Sequence, residues 1–286
     1  MQNKIGTKAF VDKALNENKL YAKKKFGQNF LTDQNILSNI VSASECNKDS
    51  LVIEIGPGLG ALTELLCESA GFVLAYEIDK DLIPVLNKNL NQFDNYEIIN
   101  KDILEVDINS DIEKYKKNYK NFILVANLPY YITTPIILGL LSKTNLIKRY
   151  VMMMQVEVAD RICGKPKTKD YNALSIAIGY RALASKCFNV SRKVFIPEPN
   201  VDSAVIKLDL YDNPPYKAKD EELFFTLIRE AFSQRRKTLI NNLSNNYAKE
   251  LILKMLDEFN IKSNVRSEEL TIANFVDFSN FISDNR

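Results

Sequence analysis

The chain contains no histidine among its 286 residues. This excludes Ser-His-Asp and Cys-His relays and every His-ligated metal site, leaving chemistry that needs no imidazole. Cysteine is sparse too. Cys46, Cys67, Cys163 and Cys187 lie far apart with no CxxC pair, which argues against a zinc site or disulfide framework; they are read as small core residues. No window approaches the ~20 consecutive apolar residues that a membrane span needs, and the Lys-rich N-terminus lacks a signal-peptide core. The expectation is a cytoplasmic enzyme without membrane or metal partners, a monomer by default. Glycine and proline are few, and a 46% hydrophobic composition argues against disorder. The length suits one large domain plus one small one.

The net charge is only +2, but it is unevenly spread. Residues 1–30 carry seven lysines, Lys23, Lys24 and Lys25 among them, against Asp12 and Glu17. Eight basic residues between Arg161 and Lys193 face Asp170 alone, and Arg235, Arg236 and Lys237 form a third cluster in SQRRK. A single such run reads as solvated surface. Three of them point to a polyanionic partner.

The runs LVIEIG, FVLAYE, YEIIN, FILVA and RYVMMMQ alternate with amphipathic stretches, the pattern of βαβ units in a parallel sheet covered by helices. KCFNV and DSAVIKLDL suggest an antiparallel pair at its edge. YDNPPY, Tyr211 to Tyr216, reads as a linker, since paired prolines forbid helix. The expected architecture is therefore α/β, a Rossmann-like domain over 1–212 with a small all-helical domain over 213–286.

EIGPGLG puts Gly56, Gly58 and Gly60 between a strand and a helix, where the backbone can turn tightly and approach a nucleotide-like ligand. The spacing is not the dinucleotide fingerprint G-x-G-x-x-G. Glu77 ends the next strand, at the offset where an acid meets ribose hydroxyls, and Asp102 follows the third. These positions converge at one end of a parallel sheet. S-adenosylmethionine is the favoured cofactor, a nicotinamide dinucleotide the second reading. FILVA then runs into Asn127-Leu128-Pro129-Tyr130. The Asn127 amide and the Leu128 carbonyl, held by Pro129, offer two acceptors for the N–H groups of a nucleobase amine, and Tyr130 offers a stacking face.

The tetrapeptide resembles the N/D-x-P-Y motif of amino-group methyltransferases. More narrowly, KKKFGQNFL (23–31), VIEIGPGLGALT (52–63), YEID (76–79), KDIL (101–104), ANLPYYITTPI (126–136), QVEVADRI (155–162), FIPEPNVDSAVI (195–206) and AFSQRRKTLINNL (231–243) resemble the bacterial small-subunit (16S) ribosomal RNA adenine dimethyltransferases. The resemblance implies dimethylation of two adjacent adenines in a hairpin near the 3′ end of that RNA, within an immature small subunit. It implies that Gln28, Asn29 and Leu31 close over the methionine end of the cofactor beside Gly56 and Gly58. Glu77 with Ile78 would take its ribose, and Asp102 with Ile103 its adenine. Asn127 would border the cofactor as a tenth contact and, with Leu128, grip the target amine, with Tyr130 on one face of its ring and Phe195 on the other. Lys23, Lys24, Lys25, Arg235, Arg236 and Lys237 would contact RNA phosphates. The nearest alternative is the large-subunit (23S) adenine methyltransferase of macrolide resistance; a non-catalytic assembly factor and a nicotinamide-dependent oxidoreductase stand further off.

Overall fold

A computed structural model of the protein describes residues 4–285. Its strands are β1 (Phe30–Leu31), β2 (Ser50–Ile55), β3 (Phe72–Tyr76), β4 (Tyr96–Ile99), β5 (Asn121–Asn127), β6 (Arg149–Gln155), β7 (Ala182–Val190), β8 (Phe195–Ile196) and β9 (Ser203–Leu210). Seven form one sheet in the order β4-β3-β2-β5-β6-β9-β7, and β1 pairs antiparallel with β8. The five apolar runs of the sequence are β2 to β6, which pair with one another in parallel, and β9 turns antiparallel against β6. Every residue of β2 is buried, as expected where helices cover both faces of a parallel sheet.

The helix Gln34–Ser44 shows how one such cover is built. The Asp33 carboxylate caps it, accepting from the backbone N–H groups of Asn35 and Ile36 at 2.9 and 3.1 Å, a contribution of about 1 kcal/mol. Leu37 and Ile40 then fall on one face, fully buried, and the helix lies against β5 and β6. The Lys-rich segment before this helix shows no helical periodicity in sequence. In the structure Lys8–Glu17 is a helix capped by Thr7, burying only Val11 and Ala14. So thin an apolar face carries little periodic signal.

The chain divides into two compact units: Met1–Ala159 with Ser185–Leu210, and Asp160–Ala184 with Tyr211–Arg286. The second break lies beside the expected boundary at 212/213. Residues 160–184, expected in the first domain, group with the helical unit. The reason is apolar: Tyr171, Ile176 and Tyr180 join a cluster with Phe224, Leu227, Phe275 and Phe278. The Tyr180 and Phe224 ring centroids are 4.5 Å apart, and the Tyr180 hydroxyl accepts from the Ala218 N–H at 3.1 Å.

Of the cysteines, Cys67 is buried as expected, but Cys187 is exposed and Cys46 and Cys163 are half-buried. No helix among the described residues is long and apolar enough to cross a membrane.

Gly71, in the turn entering β3, donates to the Ser50 carbonyl at 3.0 Å, and a Cβ there would sit 2.2 Å from the Lys48 carbonyl oxygen. Backbone cannot yield as a flexible side chain would. Gly71→Ala is therefore expected to cost about 1–3 kcal/mol by overpacking, lowering Tm by roughly 2–12 °C. An unchanged thermal unfolding curve would refute this.

Candidate active site

The sheet order reverses direction between β2 and β5, whose parallel register sets Ile55 beside Ala126. Ligands of open α/β sheets bind at such a switch point, beyond the carboxyl ends of the strands. Here the first residue past β2 is Gly56, and the last of β5 is Asn127. Gly56 and Gly58 adopt φ of 69° and 60°, a left-handed conformation that side chains disfavour. A Cβ on Gly58 would press on the Phe30 ring at 3.3 Å, so a side chain there would crowd the floor of the loop.

A cavity of about 100 Å³ opens here. Gln28, Asn29 and Leu31 wall it from the N-terminal segment, Gly56 and Gly58 from the loop, and Glu77 and Ile78 from the end of β3. Asn127, Leu128, Pro129 and Tyr130 close the remaining side. Asp102 and Ile103 lie in a smaller adjoining recess of about 40 Å³, which shares Gly56, Ile78 and Pro129 with the first. The structure thus brings together all ten sequence-nominated cofactor residues across two joined hollows.

Glu77 is 4% exposed. Its carboxylate accepts from the Gly58 N–H at 3.2 Å and the Asp79 N–H at 2.8 Å. Burial pushes its pKa up to about 7, against the pull of those two donors. Glu54, on β2 beneath the cavity, was missed from the sequence because it reads as one letter within a strand. It is fully buried, and burial raises it to about 8, with the Glu77 charge adding to the rise and the Thr63 hydroxyl opposing it. Neither Glu54 Oε2 nor Thr63 Oγ1 completes a hydrogen bond among the described residues.

These groups fit S-adenosylmethionine. A buried carboxylate at the end of β3 suits the two hydroxyls of a ribose, and apolar Ile78, Ile103 and Pro129 around Asp102 suit a purine carrying an amine. Asp102 Oδ1 caps the following turn through the Leu104 N–H at 2.9 Å. Among the described residues no three His, Cys, Asp or Glu side chains are arranged to hold a metal ion.

Asn127 donates through Nδ2 to the Asn29 carbonyl at 3.3 Å, which leaves its Oδ1 as the acceptor. The Leu128 N–H donates to the Met153 carbonyl at 3.0 Å. Pro129 has φ −60° and ψ 129°, and its carbonyl is held by the Thr133 hydroxyl at 3.0 Å. The half-buried Tyr130 shares a 2.7 Å hydrogen bond with the Ser203 hydroxyl on β9. No sequence signal tied Ser203 to this tyrosine; the contact spans 73 positions.

Two of the nominated residues are engaged elsewhere in the fold. Phe195, expected over the second face of the target base, is 3% exposed and sits in the core with Leu31, Met153 and Val205, because β8 pairs it with Leu31. Lys23, expected on RNA phosphate, places its ammonium 2.6 Å from both Asp79 and Asp81, with its side chain only 14% exposed. Lys25 is exposed and lies over the Phe26 ring at 4.6 Å, while the Lys24 side chain falls outside the described residues. In the helical unit, Arg235, Arg236 and Lys237 are exposed in the turn after the helix Glu221–Ala231.

A buried acid with a raised pKa binds its proton more tightly in the folded chain. The associated stability is complete below the ordinary value of 4.5 and is lost as pH climbs through about 7 for Glu77 and about 8 for Glu54. The protein without ligand is expected to lose Tm across that window, and Glu54→Gln to flatten its upper part. Parallel Tm-against-pH curves for the two proteins would reject the assignment.

Comparison with known proteins agrees with this geometry. A model of the family described as ribosomal RNA adenine dimethylase matches residues 19–284. A Lactococcus lactis protein named ribosomal RNA small subunit methyltransferase A is 49% identical over 256 residues, 88% of this chain and 87% of its own. Among solved structures, a Plasmodium falciparum dimethyladenosine transferase is 26% identical with a TM-score of 0.73, covering 87% of this chain and 95% of that one. The 23S rRNA methyltransferase ErmE is 25% identical with a TM-score of 0.68, covering 89% and 100%. With a family model matching residues 19–284, nearly the whole chain, this protein belongs to the ribosomal RNA adenine dimethylase family.

Proposed function

We propose that this S-adenosylmethionine-dependent rRNA adenine dimethyltransferase acts on two adjacent adenines in a hairpin near the 3′ end of the small-subunit rRNA, within an immature subunit and as a monomer. The small-subunit choice is supported by relatives of that name at 49% identity, against 25% for the 23S enzyme.

The observation that carries the catalytic part is the fixed amide of Asn127. Its Nδ2 is held by the Asn29 carbonyl, so Oδ1 faces the site as an acceptor. An adenine amine is a poor nucleophile because its lone pair is delocalised into the ring. Two oxygens, Asn127 Oδ1 and the Leu128 carbonyl, take its N–H groups and draw the lone pair back towards nitrogen. Pro129 keeps the second oxygen in place, and Tyr130, its hydroxyl tied to Ser203, presents a ring for the base to stack on. When bound, the cofactor supplies a methyl group on a cationic sulfur, whose departure needs no acid. The amine proton leaves to solvent afterwards, so the chain needs no titratable base, in keeping with its lack of histidine. Positioning supplies most of the acceleration.

The RNA surface of this reading lies on the helical unit. Arg235 donates to the Lys169 carbonyl, and the Lys167 N–H donates to the Glu268 carbonyl at 2.8 Å. Two basic runs far apart in sequence are thereby adjoined within that unit, and both are exposed.

Asn127→Ala is expected to cost about 3 kcal/mol in the transfer step, on the scale of one lost preorganised polar contact, while cofactor affinity stays near that of the parent. Labelled S-adenosylmethionine, undermethylated small subunits and nuclease mapping of the label measure it; near-normal turnover would falsify the role. Replacing Arg235, Arg236 and Lys237 together with alanine should weaken RNA binding and flatten its dependence on log salt by roughly 0.7–0.9 per lost phosphate contact. An unaltered slope would remove this loop from the interface.

A further inference from the structure

We propose that Lys23 is a positioning residue for methyl transfer: clamped between Asp79 and Asp81, it fixes the segment 23–31 so that the Asn29 carbonyl holds the Asn127 amide in its reactive orientation. This rests on the role proposed above for Asn127.

The contacts form one unbroken path. Lys23 Nζ lies 2.6 Å from Asp79 Oδ1 and 2.6 Å from Asp81 Oδ2. Asp79 Oδ2 accepts from Gln28 Nε2 at 2.8 Å, and Gln28 Oε1 accepts from the Lys23 backbone N–H at 2.8 Å. Residues 23–28 are thus closed on themselves and on one carboxylate. The next residue, Asn29, presents the carbonyl that receives Asn127 Nδ2 at 3.3 Å. On its other side Asp79 donates its N–H to Glu77 at 2.8 Å, and Glu77 also receives the Gly58 N–H. Cofactor loop, ribose acid, N-terminal segment and target-gripping amide are therefore joined through Asp79.

Asp79 is 2% exposed. A carboxylate so buried stays ionised only with a compensating partner, and removing that partner leaves an uncompensated charge. Lys23 supplies the one positive charge in this path; Gln28 supplies only a neutral donor. The same geometry removes Lys23 from the phosphate-binding set, since an ammonium shared by two carboxylates has no net positive field to offer RNA. Without it, Gln28 remains the tie of residues 23–28 to Asp79, while the β1–β8 pairing and the buried Phe30 and Leu31 hold the residues that follow, and the Asn29 carbonyl between them is less firmly placed. A displacement of about 1 Å in a reacting group is enough to cost on the order of a hundredfold in rate.

The test compares the full-length parent with Lys23→Ala, Lys23→Arg and Asn127→Ala, using labelled S-adenosylmethionine and undermethylated small subunits. Lys23→Ala is expected to lower kcat about tenfold or more, with RNA affinity and its salt slope unchanged, and Lys23→Arg to restore most of the rate by keeping a charged donor. The proposal is overturned if Lys23→Ala turns over within about twofold of the parent, or if its main effect is a salt slope reduced by about one unit, the mark of a lost phosphate contact. If Lys23→Ala is unfolded at the assay temperature, Lys23→Gln, which keeps a neutral donor, decides by the same two readings. Asn127→Ala separates the levels: if it is inactive while Lys23→Ala is active, only the positioning role fails; if it is active, the amide role fails first.

Discussion

The parallel pairing of β2 with β5 is the constraint on which the site depends. Its register places the glycine loop and the Asn127 amide side by side at one end of the sheet. A slip by one residue would turn every side chain of a strand to the opposite face, so the core that buries all of β2 also fixes the alignment of the two halves of the site. Fold stability and active-site geometry are here the same set of contacts.

The electrostatics follow from that burial. Strand ends carry the acids, and a strand end lying under helices and a folded N-terminal segment is poorly solvated. Glu54 and Glu77 consequently hold their protons far above the ordinary carboxylate range, whereas Asp79, met by Lys23 and Gln28, has its pKa lowered despite its burial. Glu77 and Asp79, two residues apart, are thus shifted in opposite directions by their surroundings. The chain obtains this without an imidazole, which suits a reaction that asks for orientation more than for proton transfer.

Much of the fold was legible because a parallel sheet writes continuous apolar runs, and β2 to β6 are such runs. Gly56, Glu77, Asp102 and Asn127 could be nominated for one crevice because they follow successive strands in order, whereas Gln28, Asn29 and Leu31 were nominated only through the family resemblance. What escaped is what depends on contacts distant in sequence. The Ser203 hydroxyl meets Tyr130 across two sheet neighbours, Glu54 is a charge hidden inside an apolar run, and Phe195 is buried through a two-residue pairing too short to announce itself. Lys23 was assigned to RNA phosphate because it stands in a lysine run; only the fold brings Asp79 and Asp81 to it. Local composition gives the sign of a charge and leaves open whether that charge is already spoken for.

The helical unit is assembled from two stretches separated by β7, β8 and β9. Tyr171, Ile176 and Tyr180 share one apolar cluster with residues beyond Tyr211. In synthesis from the N-terminus, this stretch therefore precedes the helices after Tyr211 that cover its apolar side. A chain halted at the proline-rich stretch would carry that strip without its cover.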